Sequence, residues 1–595
     1  MVINTEDKNE VQSELNSETK TEEKSESSTE EKNETKDEIQ SEIKSEVNGN
    51  DKSEIVGNND AENKEEEKNE DNTEKNKKKK GKQGPCGICG KDAHQSCSQC
   101  SSVYYCSRDC QREDWKIHKS KCRPFVIGKH KIYGRHAVAN RDIAAGELIM
   151  REKSIIIGPR HRGAPVCLGC HGKPTPHFTC SKCKYPLCSP DCESSRYHQA
   201  ECPYLEKAPC PPISDLSAAS PAYECIMPLR CLLQNEPKLR KQIDNLQSHV
   251  EDIKRSPLDA DINKNIIQFL KERVGWSGPE AEIYKMAGVL ITNGMEMQHN
   301  QNTVRGIFPS AAMLAHDCVP NAKYYVSEFT HDGDDSDPTM YVYATVPISK
   351  GTSINFTYTG TLYTTLPRRQ HLQFTKFFPC TCRRCSDPTE LGTDFGTLVC
   401  DKTDCKGYVE SCHPMHALAP WRCRKCHQDF DVNKVKMINE SVFQELSSID
   451  RTTPKPLEDF LNKHQDLLHP NHRFYHEAKY GLIQRYGNRF PYNEINKSQM
   501  ENKIKWCREL LKLADIFSPG MSTFRGDLKF ELHAALSALS THVRKFEPTV
   551  IVEEIESEAK KLQESAREIL EQNPDNAVGL FAKRLDVLHS QIIRI

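Results

Sequence analysis

The 27 cysteines of this 595-residue chain fall largely into short-spaced pairs, and that spacing points to metal chemistry. A first run, "CGICGKDAHQSCSQCSSVYYCSRDCQREDWKIHKSKC", pairs Cys86 with Cys89, Cys97 with Cys100, Cys106 with Cys110 and His118 with Cys122. Eight thiolate or imidazole ligands make two tetrahedral zinc sites. A second run, "CLGCHGKPTPHFTCSKCKYPLCSPDCESSRYHQAEC", repeats the order with Cys167/Cys170, Cys180/Cys183, Cys188/Cys192 and His198/Cys202. His171 and His177 are then loop residues, since all eight positions are filled. "CTCRRC" supplies Cys380, Cys382 and Cys385, three thiolates that need a fourth; Cys318 in "LAHDCVPNA" is the candidate. Cys400, Cys405, Cys423 and Cys426 read as a zinc ribbon, with Cys412 as an alternative to Cys405. The total is about six zinc ions, mostly structural, because a closed thiolate shell leaves no position for substrate. Cys210, Cys225, Cys231 and Cys507 have no partner at metal spacing and read as ordinary buried thiols.

Ligands need elements to hold them. Cys106/Cys110 and His118/Cys122 stand four apart, which predicts helical turns with both ligands on one face. "QREDWKIH" between them reads as an amphipathic helix with Trp115 in the core. "HKIYGRHAVANRDIAAGELIMREKSIIIG" alternates as strands do around a turn. "LRCLLQNEPKLRKQIDNLQSHVEDI" and "NIIQFLKERV" have helical periodicity. So do "PLEDFLNKHQDLL", "NKIKWCRELLKLADIF" and "AKKLQESAREILEQNPDNAVGLFAKRLDVL", where "ILEQNPDNA" resembles a helix-hairpin junction of the tetratricopeptide type.

Composition sets the outer limits. Residues 1–80 hold 25 Asp/Glu, 14 Lys and no aromatic residue, a local charge of −11 that predicts disorder. The chain's net −3 leaves +8 for the other 515 residues, a mildly basic body. "KKKKGK" (Lys77–Lys82) reads equally as a nuclear import signal or a solvated linker end. No run of 18 apolar residues and no apolar N-terminal stretch occurs, so neither a membrane span nor a signal peptide is expected. A reducing compartment follows, which favours metal over disulfides. The basic–aromatic pattern of a nucleic-acid reader is missing, so nucleic acid is not an expected direct ligand.

The first run resembles the MYND zinc finger, whose zincs interlock by joining the first ligand pair to the third and the second to the fourth. That implies one site of Cys86, Cys89, Cys106 and Cys110, and another of Cys97, Cys100, His118 and Cys122. The second run is a MYND-like repeat. The strand-like stretch, then "LITNGMEM", "GIFPSAAMLAHDCVPNA", "VPISKGTSINFTYTG" and "CTCRRC", resembles in order a SET domain and its post-SET motif. A SET core interrupted by a MYND finger is similar to the SET-and-MYND (SMYD) protein-lysine methyltransferases, the SmydA type most of all, over roughly residues 86–595. The implied fold is multidomain α+β: a disordered tail (1–83), MYND finger 1 (84–123), the first SET part (124–166), the inserted finger 2 (167–203), a helical insert (204–285), the SET core (286–379), the post-SET site and ribbon-like segment (380–430), and a helical, TPR-like C-terminal domain (431–595).

The resemblance implies methyl transfer from S-adenosylmethionine to a lysine of a histone or another protein, in the nucleus or the cytoplasm. It assigns Tyr358 as the catalytic tyrosine and Gly134, Arg135, His136, Asn293, Ala315, His316, Tyr358 and Phe378 to the cofactor pocket. Three positions depart from the family pattern. His136 replaces the second glycine of a Gly-x-Gly turn, Ala315 replaces an asparagine, and Lys376 falls where a channel tyrosine is expected. A Cβ at 136 is costly if that backbone needs φ > 0, and a lost amide at 315 costs about 1–3 kcal/mol. The alternative is a catalytically weak or inactive SET-MYND scaffold that binds proline-rich corepressor peptides through its fingers.

Overall fold

The first cysteine run folds around the helix Arg108–Cys122 and two short strand pairs, Gly84–Pro85 with Asp92–Ala93 and Gln95–Ser96 with Tyr104–Tyr105. The computed structural model describes residues 84–97, 103–131, 133–299, 302–327, 337–544, 548–573 and 580–593. The acidic tail, the lysine run and Cys100 lie outside them. His118 and Cys122 share the helix, whereas Cys106 lies two residues before it. The expected one-face pairing of Cys106 with Cys110 is therefore corrected. Ser107 is extended (φ −151°, ψ 164°) and its hydroxyl accepts from the Cys110 N–H, so the chain enters the helix only after Cys106. Trp115 packs on the small core of Cys86, Ala93, Cys97, Tyr105 and Cys122.

The second run has little regular structure beyond the 3-10 turn Pro190–Ser194 and the helix Arg196–Leu205. Its cysteines belong to a larger core that also takes in the helices Ile226–Leu232 and Glu280–Asn293. The insert expected to be helical is so, with short helices Pro237–Asp244, Val250–Lys254 and Leu258–Ile262 followed by π-helical turns Asn263–Ile267 and Phe269–Arg273. One buried cation ties this insert to the finger. Arg230 makes two bonds of 2.7 and 2.8 Å to Glu201, and it also donates to the carbonyls of Leu168 and Ile157. Ile157 belongs to the strand Ile156–Pro159, so finger, insert and sheet share one guanidinium.

Small sheets surround the remaining core. Ile156–Pro159, Asn302–Ile307 and Met295–His299 form one, Ala322–Ser327, Thr339–Ala344 and Leu148–Lys153 another, and Phe125–His130 pairs with Gly134–Ala139. The two-residue strands Ala315–His316 and Asn355–Phe356 run parallel, with Ala315 opposite Asn355 and His316 opposite Phe356. The ribbon-like segment is a four-stranded sheet in sequence order from Leu398–Val399 to Asp429–Phe430.

Beyond it the chain is helical, including Lys497–Phe517, Thr523–Val543 and Thr549–Leu570. This domain touches the sheet region at several places, among them Gln572, which donates to the Gly146 carbonyl. Lys323 and Tyr325 donate to the carbonyl of Ile569 at 3.0 and 3.3 Å, at the negative end of the helix Thr549–Leu570. Gly520 (φ +72°) passes so close to Thr345 that a Cβ would stand 1.9 Å from its carbonyl oxygen. Only glycine fits there. None of the described helices is long and apolar enough to cross a membrane.

Candidate functional site

Among the described residues, the ligand atoms of at least five quartets converge within 4.8 Å: Cys86, Cys89, Cys106 and Cys110; Cys167, Cys170, Cys188 and Cys192; Cys180, Cys183, His198 and Cys202; Cys318, Cys380, Cys382 and Cys385; Cys400, Cys405, Cys423 and Cys426. Zinc–sulfur bonds of about 2.3 Å set tetrahedral edges near 3.8 Å. The Sγ separations match: 3.9 and 3.5 Å from Cys318 to Cys380 and Cys385, 3.7 Å for Cys400–Cys426, 3.6 Å for Cys405–Cys423. In the first finger Cys97 Sγ lies 3.4 Å from Cys122 Sγ. The alternative ligand Cys412 stands outside its quartet, its N–H donating to the Pro420 carbonyl. Cys210, Cys225, Cys231 and Cys507 are buried. His177 is exposed, while His171 is buried with a ring nitrogen 2.8 Å from Arg230.

The Cys318 quartet is held by a polar core that spacing could not announce. Arg368, fully buried, donates to Cys318 Sγ (3.2 Å) and Cys385 Sγ (3.4 Å). Glu390 receives Arg368 at 2.7 Å and Arg384 at 3.0 Å. Burial alone would raise the Glu390 carboxyl, but the two guanidinium groups carry it below its ordinary range. Four thiolates around a dication leave negative charge, which the buried arginines offset.

His316 joins this quartet to Tyr358. Its Nδ1 accepts the Tyr358 backbone N–H at 3.0 Å, which assigns the ring proton to Nε2, 3.2 Å from Cys318 Sγ. Burial lowers the imidazole to about 4, so the ring is neutral. Both nitrogens are thus engaged by the chain, and His316 acts as a positioning residue. Tyr358 donates its hydroxyl to the Leu314 carbonyl at 2.6 Å, and burial pushes the phenol up. Phe378 lies near the same imidazole, ring centres 6.1 Å apart.

The other pocket candidates lie on separate elements, the strands Gly134–Ala139 and Ala315–His316 and the helix Glu280–Asn293. Gly134 (φ +63°) has nothing within 4 Å of where a Cβ would stand. The left-handed position falls on Gly134 and not on His136, which sits buried in the strand Gly134–Ala139, so the histidine carries no backbone strain. Ala315 is buried, and the Oδ1 of Asn355, its partner in register, is buried without a hydrogen bond. Arg135 donates to the Asn245 carbonyl, and Asn293 donates to Gln247 (2.7 Å) and Val289 (2.9 Å). A loop of the helical insert therefore closes on both residues. Spacing carried no signal for that loop, for Arg368 and Glu390, or for Thr292, whose carbonyl receives Lys376 at 2.7 Å.

Two family models match this chain, the MYND finger over residues 86–122 and the SET domain over residues 134–359. It is 28% identical over 419 residues to the Drosophila melanogaster SET domain-containing protein SmydA-8, isoform A, covering 67% of this chain and 86% of that protein. Human N-lysine methyltransferase SMYD2 is 20% identical over 298 residues, 50% of this chain and 48% of that protein. A solved SET-domain structure, that of LSMT bound to lysine and AdoHcy, aligns over 81% of this chain and 92% of its own at 11% identity. The TM-score of that alignment is 0.24. A MYND finger leading into a SET domain, along a length shared with SmydA-8, is consistent with an SmydA-type SET-and-MYND (SMYD) protein.

Proposed function

We propose that this chain is an S-adenosylmethionine-dependent protein-lysine N-methyltransferase, acting on a histone or another lysine-bearing protein in transcriptional and chromatin regulation, in the nucleus or the cytoplasm. The observation that carries the reading is the junction at Tyr358. A SET-type tyrosine with a raised pKa is clamped through His316 to the Cys318 quartet.

The residues present fit the cofactor. Gly134 leaves open space for a close backbone approach, the Phe378 ring offers an aromatic face, and the orphaned Asn355 Oδ1 is an acceptor suited to an ammonium group. When bound, S-adenosylmethionine supplies a methyl group made electrophilic by a sulfonium. The chain's own residues align, exclude water and hold protons. Tyr358 stays protonated, donates a hydrogen bond to the Leu314 carbonyl and keeps its oxygen lone pairs as acceptors. Neutral His316 fixes the Tyr358 backbone without adding charge beside a cationic reactant. The structural zinc quartets hold these strands in place.

Calorimetric titration with S-adenosylmethionine tests the reading, and absence of binding at millimolar cofactor sinks it. Given binding, Tyr358→Phe should abolish lysine methylation with cofactor affinity nearly unchanged. The scaffold reading draws on Asn293, whose two amide donors are spent on Gln247 and Val289, and on Arg135, which reaches the Asn245 carbonyl. In that case proline-rich peptides bind the fingers while the cofactor does not bind at all.

A further inference from the structure

Lys376 is the last residue of the helix Thr365–Lys376. A lysine there ordinarily serves the carbonyls of its own last turn. Instead its ammonium crosses to the carbonyl of Thr292, in the last turn of the helix Glu280–Asn293, and stands 5.8 Å from the centre of the Tyr358 ring. The backbone is bent to allow this. Phe377 is left-handed (φ +59°), an unfavourable state for a residue with a Cβ, and it stacks on His249, itself left-handed at φ +46°.

A carbonyl for the N–H and an aromatic face for the methylenes and charge are what a methyl-accepting lysine needs beside Tyr358. The resident amine has both. Burial lowers it to about 8, with Arg305 reinforcing the shift and Glu296 opposing it, in the direction an acceptor amine requires. We propose that Lys376 is an intramolecular occupant of the acceptor-amine position, which a substrate lysine must displace before methyl transfer. The inference rests on the methyltransferase reading and adds to it a built-in competitor.

An amine in that position stands next to the site of the sulfonium. The full-length protein should therefore bind S-adenosylhomocysteine, the neutral thioether, about tenfold more tightly than S-adenosylmethionine at pH 7. Isothermal calorimetry reads the ratio. Lys376→Met should bring it near one, and Lys376→Arg, which keeps the charge, should preserve it. A role confined to packing would leave the ratio alike in all three proteins. n-Butylamine, a lysine side chain without its backbone, should tighten S-adenosylhomocysteine binding to Lys376→Ala and leave the wild type unaffected. Equal affinities for the two nucleosides in the wild type, or an effect of butylamine on it, overturn the inference alone. If neither nucleoside binds, the methyltransferase reading falls and takes this inference with it.

Discussion

Cys89 and Cys106 of the first finger are exposed, whereas Cys180, Cys183, His198 and Cys202 of the second are all buried, although both runs set their ligands in the same order. The first finger keeps a core of its own and presents Ile88 and Ile117 outward. The second has given its interior to its neighbours: Cys167, Cys180 and Cys183 share one core with Tyr185, Leu205, Leu229 and Ile283. Glu201, three residues beyond His198 and 3.6 Å from it, anchors Arg230. One ligand pattern thus serves as an autonomous module in one place and as a keystone in another. Burial and the second ring of partners decide which, since a metal stabilises only what is packed on it.

Ligand loss should break the two fingers unequally. Structural zinc contributes on the order of 10 kcal/mol, comparable with the whole stability of a domain. Cys180→Ser is expected to abolish the main cooperative melting transition in scanning calorimetry. Cys97→Ser should unfold its finger locally and move that transition by less than about 2 °C. A Cys180→Ser protein that melts as the wild type does would refute the keystone role.

The next effect isolates the coupling from the metal. Arg230→Met leaves Glu201 and two backbone carbonyls buried without their donor, at an expected cost of about 3–5 kcal/mol in urea unfolding. Arg230→Met with Glu201→Leu should recover most of that loss, because the stranded charge is gone. If the double variant is no better than the single, the guanidinium acts through its carbonyl contacts and not through the ion pair.

The post-SET quartet extends the comparison to a third site, where acid should separate it from the exposed finger. Glu390 has a folded pKa below its ordinary 4.5, so its contribution is full above pH 4.5 and disappears as pH falls through the lower folded value. The stability gap between wild type and Glu390→Gln, read by denaturant titration, should be widest at neutral pH and close on acidification. A gap that widens toward acid would place the carboxyl's partners elsewhere.

What could be read from residue order alone follows the same division. Cysteine pairs announce themselves because two ligands on one short loop must sit two to four residues apart, and the four-thiolate set of Cys318 needed only a count of missing ligands. Ser107 hid the start of its helix, because a cap residue and a helical residue look alike in a four-apart pattern. The pocket was legible only in part. Tyr358 and Phe378 come from resemblance, but Ala315 faces Asn355 across a parallel pair, and Thr292 meets Lys376 from 84 residues away. Such contacts depend on topology, which no local spacing encodes.

The smallest expected change in stability falls on the outward face of the first finger. Ile117 is 62% exposed on the helix Arg108–Cys122, so Ile117→Asp should alter unfolding free energy by no more than about 0.5 kcal/mol. If that finger is a docking module, the same substitution should weaken a proline-rich peptide about tenfold in fluorescence titration, since a charge there meets an apolar partner surface. A matching peptide effect from mutations in the buried second finger, in protein that remains folded, would erase the functional side of the contrast. The stability side would stand, because it rests on where the ligands are buried and not on what the exposed finger binds.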